Sequence, residues 1–257
     1  MRLIDAQIFE NMSKTIILIP SRLSATRLPN KPLLKINNLS IIQHVYKRAK
    51  ESRVGEVYVA TGDKEIADEI KKIKGKFILT NKKHRTGTDR IFEAYNKIKK
   101  KINCKYIINL QGDEPFINPG DIRKLNSIIK KNKSDIGTIA TKIKKSNFSD
   151  KSIVKVTTED DISKKELSKA KKFIRKCKTS KIKNIYSHVG IYQYQESILK
   201  KFVNLRQSKN EIKHKLEQLR AIDNGIQIHV VYSKNKSIGI DTVQDYVEIK
   251  KIIEYKI

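Results

Sequence analysis

Residues 106–130 of the chain read YIINLQGDEPFINPGDIRKLNSIIK. The stretch opens with the apolar run of residues 106–110, which has the length of a buried strand. It then passes through the polar residues 111–114 and continues from Pro119 with apolar residues at helical spacing. The stretch therefore predicts a strand followed by a helix, with a glycine and two acidic residues where the strand ends.

Strand-length and helix-length segments alternate on the N-terminal side of this unit. The predicted elements are strands at residues 15–19, 56–60 and 77–80 and helices at residues 41–51, 64–73 and 88–99. Together with residues 106–130 they form a βαβαβαβα series. The sequence therefore predicts an α/β protein with an open, doubly wound, mostly parallel sheet, whose ligands bind at the carboxyl ends of the strands.

The C-terminal half carries a less regular pattern. We expect strands at residues 137–142, 154–157, 227–231 and 237–240, an ordered segment at 186–192, and helices at 195–203, 213–224 and from Val243. The lysine-rich residues 160–183 show no pattern that predicts a helix or a strand. We therefore expect a single domain over residues 14–257 with a smaller inserted lobe at about residues 135–210, preceded by an N-terminal extension of residues 1–13.

No stretch of the sequence has the pattern of a membrane span or an export signal. The apolar runs fall short of the roughly 20 residues that cross a bilayer, and the first residues carry Asp5 and Glu10 without the apolar core of a secretory signal. Cys104 and Cys177 are too few for a disulfide framework, and neither lies in a CxxC pair. We expect a cytoplasmic protein with reduced thiols and no membrane partner.

The chain is strongly basic. Lysine and arginine number 56 against 27 aspartate and glutamate residues, a formal net charge of +29. A basic nucleic-acid-binding protein is therefore one alternative for the function. Aromatic residues make up only 7% of the chain, tryptophan is absent, and the lysines are spread throughout without an RNP-like pattern. These features favour solvated lysine faces and no nucleic-acid partner.

A cationic loop follows the first predicted strand. Residues 20–32 read PSRLSATRLPNKP and place Arg22, Arg27 and Lys31 at the carboxyl end of that strand. Arginine binds phosphate through paired hydrogen bonds and lysine offers a compact positive charge, so the loop suits a triphosphate. It has neither the glycine and lysine spacing of a P-loop nor a GxGxxG pattern.

Two predicted strands end on an aspartate. Asp113 follows the strand at residues 106–110, and Asp241 follows the strand at residues 237–240. Mg²⁺ bound with a nucleotide needs one or two carboxylates besides phosphate oxygens and waters, so we expect Asp113 and Asp241 to hold Mg²⁺ beside the cationic loop. The alternative for either residue, and more so for Asp241, is a helix N-cap, because aspartate is a favoured cap.

Six motifs occur in order along the chain. They are IPSRLSATRLPNKPL, HRTGTDR, NLQGDEP, HVGIYQY, LEQLR and GIDTVQD. This series resembles the motifs of the 3-deoxy-manno-octulosonate (Kdo) cytidylyltransferase family from about Lys14 to the C-terminus. The resemblance implies a nucleotidyltransferase-like α/β fold, a homodimer, and transfer of CMP from CTP to the anomeric hydroxyl of Kdo, giving CMP-Kdo and pyrophosphate for lipopolysaccharide biosynthesis. A cytidylyltransferase for a related acidic sugar, sialic acid or amino-Kdo, is the alternative.

The resemblance also implies roles for individual residues. Arg22, Lys31 and Asp113 are the implied catalytic residues, with Lys31 at the leaving pyrophosphate, and Asp113 and Asp241 are the implied Mg²⁺ ligands. The other implied substrate-binding residues are Pro20 and Arg27 for CTP, Thr86, Gly87, Thr88 and Arg90 for the cytosine and the sugar acid, and Gln111, His188, Tyr192, Glu217 and Gln218 for Kdo.

One segment departs from the family pattern. Where the family shows a segment like YFSRSPIP, whose arginine helps bind the sugar acid, this chain has LSKAKKFI at residues 167–174. Lys169 falls where that arginine is expected and keeps its charge without the paired hydrogen bonds. We predict Lys169 in the sugar site. The alternative is that residues 160–183 form a lysine-rich surface helix and that Arg90 or backbone N–H groups hold the carboxylate.

Overall fold

The computed structural model describes residues 14–24, 27–177, 182–235 and 237–255, so the N-terminal extension predicted at residues 1–13 lies outside the described residues. The strands are β1 (Thr15–Ser21), β2 (Lys35–Ile36), β3 (Leu39–Ser40), β4 (Glu56–Thr61), β5 (Phe77–Leu79), β6 (Tyr106–Leu110), β7 (Ile136–Lys142), β8 (Lys155–Thr158), β9 (Leu167–Ile174), β10 (Ile185–Gln195) and β11 (Ile228–Ser233). The helices are α1 (Ile41–Glu51), α2 (Lys64–Lys72), α3 (Gly87–Ile98), α4 (Pro119–Asn132), α5 (Ile162–Lys165), α6 (Glu196–Val203), α7 (Lys209–His214), α8 (Leu219–Asp223) and α9 (Val243–Tyr255). None of these described helices is both long enough and apolar enough to cross a bilayer.

The main sheet has nine strands in the order β5-β4-β1-β6-β10-β7-β11-β9-β8. Strands β5, β4, β1 and β6 run parallel to one another. Strand β10 enters antiparallel between β6 and β7, and β11 is parallel to β7. The predicted α/β class is confirmed, and the parallel part of the sheet is the half that carries the cationic loop and Asp113.

The C-terminal half of the sheet closes on itself. Strand β8 pairs with both β9 and β10, so that β10, β7, β11, β9 and β8 form a ring of five strands. Residues 135–210, predicted as an inserted lobe, contribute β7, β8, β9 and β10 to the same sheet as the N-terminal strands. The region of the predicted lobe is therefore continuous with the main sheet.

Both faces of the parallel strands are covered by helices. All seven residues of β1 are buried. Ile16 and Leu18 pack on one face in a cluster with Ile91 of α3, while Ile17 and Ile19 pack on the other face with residues of α1, α2 and α4. Successive side chains of a strand point to opposite faces, so a core on both sides requires a continuous apolar run rather than an alternating one.

Two predicted elements in the C-terminal half are wrong. Residues 237–240 are not a strand; they lie against the loop after β6, where the Ile240 N–H donates to the Asp113 carbonyl at 2.8 Å. This single hydrogen bond joins residues 237–240 to the loop after β6. It is not part of a ladder of hydrogen bonds between two strands. The single helix predicted at residues 213–224 is interrupted between α7 and α8, because Lys215 adopts a left-handed φ of 52°.

The lysine-rich residues 160–183, whose sequence pattern predicts neither a helix nor a strand, contain strand β9. Strand β9 pairs antiparallel with β8 and β11, so the alternative of a surface helix is wrong for Leu167–Ile174. Its register against β8 shifts between Lys172 and Ala170, which leaves Lys171 as an extra residue, and Lys171 and Lys172 are both exposed. Because such a bulge breaks the two-residue alternation of a strand, the sequence pattern did not show it.

Candidate active site

A cavity of about 340 Å³ lies where the adjacent strands β1 and β6 end. The carboxyl ends of parallel strands are the expected place for a ligand in such a sheet. Ten of the residues predicted for the site line this cavity, namely Pro20, Arg22, Arg27, Lys31, Thr86, Gly87, Arg90, Gln111, Asp113 and Asp241. The fold therefore brings the cationic loop, both aspartates and the start of α3 to one cavity.

Lys31 lies between the two aspartates. Its Nζ is 2.7 Å from Asp113 Oδ2 and 3.4 Å from Asp241 Oδ1, and it donates to the Ile240 carbonyl at 2.6 Å. Arg27 forms a second ion pair with Asp241 at 3.1 Å. Burial by itself would lower the pKa of Lys31, but the two carboxylates outweigh it and raise the pKa above its ordinary value. Lys31 is therefore charged at neutral pH.

Local backbone structure and packing hold Lys31 in place. Asn30 adopts a left-handed φ of 54°, and a 3₁₀ turn follows at Lys31–Leu33, with Pro32 buried. Leu28 and Ile240 belong to the same apolar cluster, which also contains Ile249 of α9. This packing joins the cationic loop to the segment before α9 and so brings Asp241 next to Lys31.

Asp241 is not the N-cap of α9. The helix begins at Val243, and the Thr242 hydroxyl accepts from the Asp245 N–H at 3.2 Å, while Asp245 Oδ2 accepts from the Thr242 N–H at 2.8 Å. Thr242 and Asp245 therefore form a reciprocal cap. The carboxylate of Asp241 instead meets Lys31 and Arg27, so the helix-cap alternative is wrong for this residue.

Glu114 is a buried carboxylate that the sequence reasoning missed. Its Oε1 accepts from the Gly190 N–H at 3.0 Å and its Oε2 from the Ser237 hydroxyl at 2.8 Å. Burial, with Asp113 beside it, raises the pKa of Glu114 to about 7. Glu114 thus ties the loop that carries Asp113 both to β10 and to the segment that leads to Asp241. Its position in the GDEP motif was the one available signal.

The start of α3 forms another wall of the cavity. Thr86 is the N-cap of this helix, and its hydroxyl accepts from the Asp89 N–H at 3.1 Å. A Cβ at Gly87 would lie 3.1 Å from Pro20 Cγ, so a side chain there would crowd the loop after β1. Arg90 is only 2% exposed, and its guanidinium donates to Thr80 Oγ1 at 2.8 Å, which fixes its direction at the cavity wall.

Four of the predicted sugar-binding residues lie in a second group beside the lining residues. The Thr88 hydroxyl donates to Glu217 Oε2 at 2.8 Å, and burial raises the pKa of Glu217. The rings of His188 and Tyr192 are 5.2 Å apart. Tyr192 is the strand partner of Asn109, and Asn109 donates to Thr88 at 3.3 Å. This second group is therefore joined to the cavity through β6.

His188 is half-buried and neutral. Thr138 Oγ1 lies 2.9 Å from its Nε2, and the ring of Phe173 approaches it edge-on at 5.4 Å. Burial lowers the pKa of His188 to about 3. At neutral pH the imidazole is therefore unprotonated and a poor proton acceptor.

Two further predicted residues do not line the cavity. Gln218, half-buried, stands at the N-cap of α8 without a side-chain cap bond. Lys169 is exposed on β9, opposite His229 of β11. The roles predicted for both in the sugar site stay predictions.

The two aspartates suit a hard divalent cation. Both carboxylates approach the single ammonium group of Lys31, so their oxygens already converge on one positive charge. Across the part of the chain that the structure describes, no three or more His, Cys, Asp or Glu side chains are grouped as metal ligands. Mg²⁺ that binds with a nucleotide uses one or two carboxylates, and Asp113 and Asp241 fit that requirement.

Comparisons with known proteins show which proteins this chain is similar to. Residues 16–237 match the family described as Cytidylyltransferase. The 3-deoxy-manno-octulosonate cytidylyltransferase of Thermodesulfovibrio yellowstonii is 42% identical over 243 residues, 90% of this chain and 94% of that protein. The protein of the same name from Rickettsia prowazekii is 38% identical over 239 residues, 93% of this chain and 94% of its own.

Solved structures confirm the nucleotidyltransferase-like fold. The structure of CMP:2-keto-3-deoxy-manno-octonic acid synthetase complexed with CTP matches with a TM-score of 0.85 at 32% identity, over 95% of this chain and 100% of that chain. Apo UDP-glucose pyrophosphorylase matches with a TM-score of 0.72 at 16% identity, over 95% of this chain and 99% of its own, which shows a shared fold alone. The sequence identity extends over nearly the whole length of the chain, and the cavity lies at the ends of β1 and β6. The chain therefore belongs to the 3-deoxy-manno-octulosonate cytidylyltransferase family.

Proposed function

We propose that this chain transfers CMP from CTP to the anomeric hydroxyl of Kdo, giving CMP-Kdo and pyrophosphate as a step of lipopolysaccharide biosynthesis. One observation above all supports the proposal. Three cations and two carboxylates line the same cavity, namely Arg22, Arg27, Lys31, Asp113 and Asp241. Cations in this number suit a triphosphate. The family to which the chain belongs supports CTP and Kdo as the two substrates.

In the proposed reaction the anomeric oxygen of Kdo attacks the α-phosphorus of CTP. The bond from this phosphorus to the bridging oxygen breaks, and pyrophosphate leaves with the electron pair. Arg22, Arg27 and Lys31 stabilise the negative charge that grows on the leaving group, and the cavity walls hold the two substrates in line. Mg²⁺ held by Asp113 and Asp241 would supply further positive charge to the phosphates.

The proton of the attacking hydroxyl goes to solvent, and not to His188, in this proposal. The low pKa of its imidazole argues against proton transfer near neutral pH, and the rings of Phe173 and Tyr192 pack against it. We propose instead that His188 and Tyr192 shape the sugar side of the site.

For the carboxylate of the sugar acid we propose Arg90. It lines the cavity, whereas Lys169 lies exposed on β9. An arginine can bind a carboxylate through two parallel hydrogen bonds, and the Arg90–Thr80 contact holds the guanidinium in a defined direction.

A pyrophosphate-release assay tests the function directly. The protein is incubated with CTP, Mg²⁺ and, in separate reactions, Kdo, sialic acid and amino-Kdo. We expect pyrophosphate release with Kdo and at least about tenfold less with the other two sugars, because a site built to hydrogen-bond particular hydroxyl groups rejects analogues that leave its polar groups unpaired. Asp113→Asn is the matched control, since it keeps the shape of the side chain and removes its charge; a folded, fully active variant would contradict the site assignment.

The same assay tests the cofactor. We propose Mg²⁺ dependence, so chelation should abolish release and added Mg²⁺ should restore it. We also propose a cytoplasmic homodimer, in line with the family resemblance. Light scattering on the purified protein gives its mass in solution; a mass near the 29.7 kDa of one chain would contradict the dimer.

A further inference from the structure

We propose that Asn109 is a positioning residue that turns the side-chain amide of Gln111 so that its carbonyl oxygen, and not its NH₂ group, faces the sugar substrate. The inference rests on the proposed function, because it takes the sugar acid as the ligand that meets Gln111. It assigns Gln111 the recognition of a hydroxyl group of the sugar.

A line of hydrogen bonds connects Gln111 with Glu217. Gln111 Nε2 donates to Asn109 Oδ1 at 3.1 Å, and Asn109 Nδ2 donates to Thr88 Oγ1 at 3.3 Å. The Thr88 hydroxyl then donates to Glu217 Oε2 at 2.8 Å. Asn109 and Thr88 are each 1% exposed, so water does not offer either side chain an alternative partner.

The carboxylate at one end sets the direction of the whole line. Glu217 Oε2 accepts the single hydroxyl proton of Thr88, so Thr88 has no second proton to offer Asn109. Toward Asn109 the Thr88 oxygen can then only accept a hydrogen bond. The NH₂ group of Asn109, and not its carbonyl oxygen, must therefore face Thr88. The carbonyl oxygen of Asn109 consequently faces Gln111. Gln111 therefore donates a hydrogen bond to this oxygen from its own NH₂ group.

The reversed orientation of either amide is unfavourable. Turning Asn109 would place its carbonyl oxygen against the Thr88 oxygen and its NH₂ group against that of Gln111. Turning Gln111 alone would set two carbonyl oxygens against each other. Each arrangement leaves a buried polar group unpaired, which disfavours it.

The outcome is a free acceptor at the cavity. Gln111 lines the cavity, and its Oε1 is 3.6 Å from where a Cβ of Gly87 would lie. No hydrogen bond between described residues engages this oxygen. A lone carbonyl acceptor matches a hydroxyl donor and repels a carboxylate or phosphate oxygen, so Gln111 meets a sugar hydroxyl and leaves the sugar carboxylate to a cation.

Two substitutions of Asn109 separate positioning from simple structural support. Asn109→Leu has a similar volume and no polar atoms, so Gln111 loses its fixed orientation. In Asn109→Asp the buried side chain is expected to take up a proton, so its carboxyl group still accepts from the NH₂ group of Gln111 and donates to Thr88 in place of the asparagine amide. We expect Asn109→Leu to raise the KM for Kdo about three- to tenfold, the range of one neutral hydrogen bond, with the KM for CTP unchanged. Asn109→Asp should keep the wild-type KM for Kdo.

Kdo analogues that each lack one hydroxyl group give the second readout. Wild-type enzyme should lose a similar three- to tenfold in kcat/KM on one analogue, and this penalty should shrink in Asn109→Leu but not in Asn109→Asp. Equal KM values for Kdo in wild type and Asn109→Leu would overturn the proposal, as would a matching rise in the KM for CTP.

If the Asn109 variants do not fold, the pair Thr88→Val and Thr88→Ser tests the proposal instead. Valine removes the hydroxyl and frees the Asn109 amide to turn, so the KM for Kdo should rise. Serine keeps the hydroxyl, so Thr88→Ser should raise the KM less than Thr88→Val does. A silent Thr88→Val variant would overturn the proposal. Failure of the proposed function is a separate result, since wild-type enzyme would then release no pyrophosphate with Kdo.

Discussion

The ammonium group of Lys31 lies 2.7 Å from Asp113 Oδ2, although 82 residues separate them in the chain. The Lys31 side chain is 13% exposed and that of Asp113 is 32% exposed, so the pair stands at the cavity wall with its carboxylate still open to solvent. The contact joins the loop after β1 to the loop after β6, and it places a cation and a carboxylate where the phosphates of a nucleotide are proposed to bind.

For Lys31 we predict a loss in rate rather than in nucleotide binding. Lys31→Ala should lower kcat by about 100-fold or more, the scale of a group that stabilises charge in the transition state, because the charge that Lys31 meets grows as pyrophosphate leaves. Steady-state kinetics at saturating Kdo, with CTP varied, measure both constants. A rise in the KM for CTP with kcat intact would instead make Lys31 a contact of the ground state.

For Asp241 we predict a loss of activity without a loss of stability. Asp241→Asn should inactivate the enzyme with little change in Tm, because its carboxylate meets Lys31 and Arg27 and does not cap α9. Thr242→Ala is the matched control: it removes the cap hydroxyl, should cost about 1 kcal/mol of stability, and should retain most of the activity. Thermal unfolding and pyrophosphate release are measured on both variants. The opposite pattern would restore Asp241 as the cap.

His188 should make the fold sensitive to acid. Its pKa is about 3 in the folded protein against 6.5 for the free side chain, so between these pH values the unfolded chain binds a proton that the folded chain does not. The free energy of unfolding therefore falls as pH falls, by up to about 1.4 kcal/mol per pH unit from this group. Above pH 6.5 its contribution is constant.

The change His188→Gln isolates this contribution. Urea unfolding at pH 7 and at pH 5 gives the stability lost by each protein on acidification. Wild type should lose up to about 2 kcal/mol more than His188→Gln over that interval. An equal loss in both proteins would show that His188 titrates normally in the folded state.

The N-terminal half of the fold was predictable because its strands are buried on both faces. A run such as Ile16–Ile19 has to be apolar throughout when helices cover both sides, and the helix spacing between such runs is regular. The C-terminal half lacks these signals. Strand β9 carries a bulge at Lys171 that breaks its alternation. Ile238 and Ile240 pack in the cluster with Leu28 and Ile249 rather than in a strand.

Residues of the site that stand where strands end were predictable, and residues held by distant partners were not. Arg22 and Lys31 lie in the segment after β1, and Asp113 lies in the loop after β6. Glu114, in contrast, bonds to Gly190 and Ser237, which lie 76 and 123 residues away in the chain. No spacing in one sequence reveals contacts at such distances, and a buried carboxylate is recognised only once its surroundings are known.

We predict that Arg90, and not Lys169, binds the carboxylate of the sugar acid. Lys169 is exposed on β9 beside His229, while Arg90 is 2% exposed and lines the cavity. We expect Lys169→Ala and Lys169→Arg to leave the KM for Kdo within about twofold of wild type, because an exposed ion pair contributes little. Arg90→Lys should raise it by about tenfold or more, since lysine loses one of the two charge-assisted hydrogen bonds. Kdo titrations at saturating CTP measure all three variants, with melting temperatures as the check on folding. A loss on Lys169→Ala together with a gain on Lys169→Arg would place the carboxylate at Lys169, and the cavity at Arg90 would then hold another part of the sugar.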